Sequence, residues 1–183
     1  MSDLTGQLLI AMPAIGDPRF ERAVILICEH SPDGTMGLVL NKPSREVSFA
    51  ALCEQLSLGP PEASRPVHFG GPVEMGRGFV LHSGEYVSGQ SSHLVLEGVR
   101  LSASLDVLED MVTGTGPREA LVCLGYAGWG AGQLEQELRA NGWLTAPADA
   151  AFVFAGGGAE KWSAALKTLG VDPLLLSATA GHA

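Results

Sequence analysis

The sequence predicts an α+β fold, and three observations carry that expectation. Two long apolar runs are separated by a compact turn, the signature of a hairpin. Amphipathic helical stripes fall between strand-like runs at irregular intervals, without the regular alternation of a doubly wound sheet. The 183 residues, 46% hydrophobic and 17% charged, suffice for one core and are short for two, so a single domain over residues 1–183 is expected.

In chain order, "GQLLIAM" reads as a first strand, and Asp17 with Pro18 suits the cap and first position of a short helical turn. "RAVILICEHSPDGTMGLVLNKP" is the hairpin, turning at Ser31-Pro32-Asp33-Gly34. With those four residues as the loop, His30 faces Thr35, Leu26 meets Val39 and Val24 meets Asn41. Neither strand alternates cleanly with polar residues, so both faces are expected to be covered and the hairpin to lie centrally.

"VSFAALCEQLSLG" places Phe49, Leu52, Cys53 and Leu56 on one helical face behind Ser48 as N-cap. "SLGPPEASRP" and "SGQSSH" are loop tracts too short to link domains. "PVHFGG" and "RGFVLHS" read as short strands around a glycine-rich turn, and "HLVLEG" as another strand. A helical stripe of Leu101, Leu105, Leu108 and Val112 stops at Gly114. "EALVCLGYA" is a buried strand feeding the glycines of "LGYAGWGAGQLEQEL" and a helix that carries Leu134 and Leu138. "AAFVFA" repeats that plan: strand, three glycines, then a helix with Trp162, Ala165, Leu166 and Leu169 closed by Gly170.

Composition excludes several functions. Eleven basic against 20 acidic residues leave a net charge of 11 − 20 = −9 with no basic stripe, so nucleic acid is not an expected partner. The N-terminal stretch has an acidic residue where an export signal needs basic ones, and no apolar run approaches membrane-spanning length. Three cysteines without C-x-x-C spacing suit free thiols, so a cytoplasmic location is expected.

The glycine loops fail the nucleotide tests. Gly125 and Gly130 have P-loop spacing, but Ala131 and Gly132 stand where lysine and a hydroxyl belong. A dinucleotide pattern from Gly128 through Gly130 ends on Gln133. What remains is a strand entering a helix through glycines, a feature that either binds an anion or only lets Tyr126 and Trp129 pack on a sharp turn; the packing reading is favoured. The three glycines at 156–158, with Lys161 behind them, read as a flexible connection.

Catalytic templates fare no better. Cys28-Glu29-His30 is the densest reactive cluster, yet on a strand Glu29 points away from His30, while Cys28 and His30 share a face too far apart for an activated thiol. The five histidines lack metal-ligand spacing, and no serine elbow is present. Cys53 and Cys123 read as packing residues, and His82 as a satisfied sheet residue. No catalytic residue, metal ligand or cofactor is assigned.

These stretches together resemble the bacterial YqgE/AlgH family from near the start of the chain to its end: "GQLLIAMP" with "DPRF", "CEH" with "GTMGLVLNKP", "FGGPV" with "RGFVLH", "GYAGWGAGQLEQEL" with "NGWL", and "KWSAALKTLG". The resemblance implies a small cytoplasmic α+β protein whose mixed, mostly antiparallel sheet curls into a flattened barrel with helices packed outside. It also implies a link, in one branch, to transcriptional regulation. Family-pattern polar positions here are Glu29, His30, Asn41, Arg77, His82, Gln133, Glu135 and Asn141, with Tyr126 and Trp129. Glu29, His30, Asn41, Arg77, His82, Tyr126, Trp129, Gly130 and Gln133 are therefore the candidate binding residues. Where relatives carry polar or proline residues before the "KW" helix this chain has Gly156, Gly157 and Gly158, which weakens a shared anion site there.

The leading expectation is a non-enzymatic protein that binds a small molecule or a protein partner, in a regulatory role. One alternative is a small acid–base enzyme that gathers Glu29, His30, His82 and Arg77. Another is a direct DNA-binding regulator, which the −9 charge disfavours.

Overall fold

The computed structural model describes residues 2–87 and 92–176. Strand β1 (Gln7–Ala11) leads into two short 3-10 turns, the second begun by Pro18 with the Asp17 carboxylate accepting from the Arg19 N–H. The hairpin follows as β2 (Val24–Ser31) and β3 (Gly34–Val39). Then come β4 (Pro43–Ser48) and α1 (Phe49–Gln55), whose first turn is capped by the Ser48 hydroxyl accepting from the Ala51 N–H. Beyond lie β5 (Pro66–Phe69), β6 (Val73–Ser83), β7 (His93–Leu96), β8 (Val99–Ser102) and α2 (Leu105–Thr113). The chain continues through β9 (Ala120–Gly130), α3 (Gln133–Arg139), β10 (Trp143–Pro147), α4 (Ala150–Phe154) and α5 (Ala159–Thr168).

The strands form one sheet in the order β10-β1-β2-β3-β9-β6-β8-β7, with β5 joining β9 and carrying β4. Every pairing is antiparallel except β5 on β9. The sheet curls into a half-barrel, and its two faces cover different cores. Leu26, Leu38, Phe79, Leu81 and Cys123 line the inner cluster, which α5 closes at one end with Trp162, Ala165 and Leu166. Outside, α1 and α2 cover Val67, Val80 and Val122, while α3 covers Ile25, Ile27 and Trp129. The hairpin is thus central and covered on both faces, as its lack of polar alternation implies. No helix among the described residues is long and apolar enough to cross a membrane.

Strand β9 joins the two halves. Its residues Val122–Leu124 pair with β5, while Ala127–Gly130 pair with β3 beyond it on the same edge. The opposite edge carries β6. Gly125, at the join, has φ of +74°, and a Cβ there would overlap the Gly71 carbonyl oxygen. Only glycine meets both demands.

Several expectations need correction. The hairpin pairs His30 with Thr35, but a bulge between Ile27 and Glu29 shifts the register, so Leu26 meets Leu38 and Ile25 meets Val39. Leu101 belongs to β8, and the buried stripe of α2 is Val107, Leu108 and Met111, because Ser104 rather than an earlier residue starts the helix. "AAFVFA" forms α4, where the Asp149 carboxylate accepts from the Phe152 N–H and commits an apolar run to a helix. β5 and β6 do not pair with each other; they flank β9. Strands β4, β8 and β10 are additions to the sequence reading. The tract at 57–65 is irregular, as expected, whereas most of "SGQSSH", residues 88–91, lies outside the described residues.

Gly125→Ala is expected to destabilise the fold by about 2 kcal/mol or more, since the substitution strains the backbone and forces β9 off Gly71. Urea denaturation with an unchanged m-value and a lowered midpoint checks it, and an unshifted midpoint contradicts it.

Candidate functional site

Two irregularities in the sheet open a cleft of about 640 Å³ on its inner face. At the first, the extra residue at Cys28 puts Cys28 and Glu29 on one side: Cys28 enters the inner core, while Glu29, paired with Met36, lines the cleft. The expected shared face of Cys28 and His30 is therefore absent. At the second, β6 bulges between Val73, opposite Tyr126, and Gly78, opposite Leu124. The excursion passes through Glu74 at φ of +47° and brings Arg77 to the cleft rim.

The floor is apolar and aromatic. Phe79, Leu101, Met36 and Tyr126 line it, with the Phe79 and Tyr126 rings edge-to-face at 5.8 Å. Charges of both signs ring it: Glu29 and Asp33 on the hairpin side, Arg77 on the β6 side. The Arg77 guanidinium lies 5.0 Å from the Phe79 ring centre and 3.5 Å from the Glu74 carboxylate. His93 also reaches the cleft.

Of the nine candidates, Glu29, Arg77, Tyr126 and Trp129 line this cleft. Trp129 is mostly committed to packing, edge-to-face with Trp143 at 5.9 Å. His30 faces the opposite side, where its Nδ1 accepts the Leu4 N–H at 3.1 Å and its Nε2 meets Glu135 Oε1 at 2.9 Å. In the neutral ring those contacts place the proton on Nε2. The bond from His30 is the main cause that holds the Glu135 carboxyl below its usual range.

Asn41 is buried and structural: its Oδ1 accepts from the Val24 N–H at 2.9 Å, and its Nδ2 donates to the carbonyls of Arg22 at 2.8 Å and Gly158 at 3.3 Å. His82 is fully buried, with Nε2 2.8 Å from the Ser102 hydroxyl and Nδ1 3.1 Å from the Ser83 carbonyl. Burial lowers its pKa, which keeps it a neutral sheet residue. Glu29, His30, His82 and Arg77 are thus not gathered in one place.

The glycine-rich stretch is mainly strand. Gly125, Gly128 and Gly130 belong to β9, and only Gly132, at φ of +74°, makes the turn into α3. The Gly130 N–H is already taken by Gln133 Oε1 at 3.0 Å. Gln133 itself lines a separate groove beside Trp129. Between these glycines Tyr126 packs on Phe79 and Trp129 on Trp143.

The remaining reactive groups are buried. Cys28, Cys53 and Cys123 are free, and burial raises all three thiol pKa values, Cys123 to about 12. No cluster of three or more His, Cys, Asp or Glu that could hold a metal occurs among the described residues. Lys161 is buried and donates to the carbonyls of Val153 at 2.8 Å and Ala155 at 2.7 Å. His93 and the floor residues Met36, Phe79 and Leu101 are not among the candidates, because in the sequence they have the look of dispersed or core positions. Glycines at positions 76 and 78 within β6 are the signal of its bulge that the residues carry.

A family model described as AlgH-like matches residues 8–174. A UPF0301 protein of Ruegeria pomeroyi is 55% identical over 184 residues, covering 99% of this chain and 100% of its own length. One from Cereibacter sphaeroides (strain ATCC 17029) is 53% identical over 183 residues with the same coverage. The solution structure of the AlgH protein from Pseudomonas aeruginosa matches with a TM-score of 0.81 and 47% identity, covering 100% of this chain and 97% of that one. An X-ray structure of a Corynebacterium diphtheriae protein shares the fold at a TM-score of 0.72 and 22% identity, covering 89% of this chain and 85% of that one.

Burial of Lys161 pushes its pKa from an ordinary 10.5 down to about 8. Between those values the unfolded chain binds more protons than the folded one, so this residue's contribution to stability rises with pH there and is level below and above. Unfolding free energies of the parent protein minus those of Lys161→Met, measured from about pH 7 to 11, are expected to climb through that window. A flat difference would show that the amine titrates normally.

Proposed function

This chain belongs to the AlgH-like family, and from that premise we propose that it is a binding protein acting through the inner cleft, holding its ligand without converting it. The observation that carries the reading is the make-up of the cleft: an aromatic floor of Phe79 and Tyr126 between the Glu29 and Asp33 carboxylates on one rim and Arg77 on the other. Such a site favours a small molecule that combines a flat apolar group with separated positive and negative charges. The same features fit a projecting aromatic side chain of a protein partner, with backbone or flanking charges meeting the rim.

The chemistry around the cleft supports binding over catalysis. His30 and His82 are engaged elsewhere, and the cysteines are buried with raised pKa values. In a cytoplasmic regulator, ligand occupancy would be read through the two bulged strands that meet at this cleft. Contact with a protein partner suits the −9 charge better than contact with DNA.

Thermal-shift screening with metabolites and nucleotides tests the proposal. A bound ligand at a hundredfold its Kd should add about 2.7 kcal/mol, a shift of several degrees. Tyr126→Ala and Arg77→Ala should each remove most of that shift, and the ligand should be recovered unchanged. Chemical conversion of the ligand would refute the non-enzymatic reading, and a shift insensitive to both substitutions would move the site away from the cleft.

A further inference from the structure

A second cavity, of about 440 Å³, lies away from the cleft, between the segment that follows β1 and the first turn of α5. Met12, Ile15 and Trp162 give it apolar walls. The Trp162 ring is fixed, because its Nε1 donates to the Ala11 carbonyl at 2.9 Å. Over that ring, 5.2 Å from its centre, stands the Arg22 guanidinium.

Three features converge on Arg22. It is one of four non-glycine residues with positive φ among the described residues, at +54°, a backbone state that strains an arginine and persists only where the surroundings hold it. The restraint comes from Asn41, which accepts from the Val24 N–H and donates to the Arg22 carbonyl, pinning the chain on both sides of Ala23. The same carboxamide donates to Gly158, the residue that precedes α5. Asn41 thereby ties the two walls of the cavity to each other, a positioning role for a residue that touches nothing inside it.

The charges around the cavity leave Arg22 free. Asp17 is paired with Arg19 at 2.8 Å and also caps the turn at Pro18. Lys42 donates to the Glu21 carbonyl at 2.8 Å, and its pKa is lowered by burial, which the nearby Glu21 charge offsets only in part. Arg22 has no carboxylate partner among the described residues. A guanidinium held over an aromatic wall, with its N–H fork unmatched, recognises a planar anion. A single negative charge matches the single guanidinium that lines the cavity, and Asp17 and Glu21 on its rim disfavour any further anionic charge.

The geometry points to a binding site for a small aromatic monocarboxylate, its ring against Trp162, Met12 and Ile15 and its carboxylate on Arg22. This site is separate from the inner cleft and stands whether or not the cleft binds anything.

The test uses phenylacetate and its uncharged counterpart phenylacetamide, titrated into the full chain and followed through the indole N–H resonance of Trp162 in 15N-labelled protein, identified by its loss in Trp162→Phe. Phenylacetate should shift that resonance saturably, and phenylacetamide should bind about tenfold more weakly or worse. Arg22→Asn removes the charge with a residue that tolerates the left-handed backbone, and should weaken phenylacetate by a similar factor while leaving phenylacetamide unchanged. Equal affinity for the two probes, shifts at Tyr126 in place of Trp162, or no saturation up to about 10 mM would each overturn the assignment. The comparison of probes on the unsubstituted protein decides the matter even where Arg22→Asn folds poorly.

Discussion

The approach of the Gly71 carbonyl to Gly125 is the constraint around which the sheet is built. One edge of β9 meets first a parallel neighbour and then an antiparallel one, with a change of backbone direction between them. Gly125 supplies it through a left-handed backbone, and the absence of a Cβ lets the segment after β5 come into contact with β9. Gly70 completes the junction, donating its N–H to the Leu124 carbonyl at 2.8 Å and accepting from the Val39 N–H at 2.9 Å. Two partial sheets become one curl, and the inner core that lies beneath the cleft follows from that closure.

The polar residues then divide by whether the curl leaves them free. His30, Asn41, His82 and Lys161 are buried or nearly so, and each meets backbone or side-chain partners that water would otherwise supply. A buried group partnered in this way specifies the fold and is committed to protein atoms. Glu29 and Arg77 sit on bulged strands instead. Each bulge turns a side chain that regular alternation would place elsewhere, so the cleft is a product of departures from the ladder rather than of the ladder itself.

Much of the architecture was legible in the chain. The hairpin with its turn, the Asp17 and Ser48 caps, the stop at Gly114 and the last helix all rest on local signals, in which neighbours along the sequence decide the backbone. The separation of Glu29 from His30 was also readable from strand alternation. Errors arose where local signals were balanced. "AAFVFA" has the composition of a buried strand, and one capping carboxylate tipped it to helix; Leu101 matched the helical period by spacing alone. The bulge at Cys28 leaves no mark in the residues themselves, which carry neither glycine nor proline between Ile27 and Glu29.

What the sequence by itself determined is the central hairpin, the Asp17 and Ser48 caps, the stop at Gly114, the last helix and the family, because those depend on short-range backbone preferences and on the order of residue types along the chain. Which side chains meet was decided only by the tertiary structure. Glu135 lies 105 positions from His30, and Asn41 lies 117 from Gly158, yet hydrogen bonds join both pairs. Such contacts depend on the curl of the whole sheet, which burial of three shared cores stabilises and which no local stretch encodes.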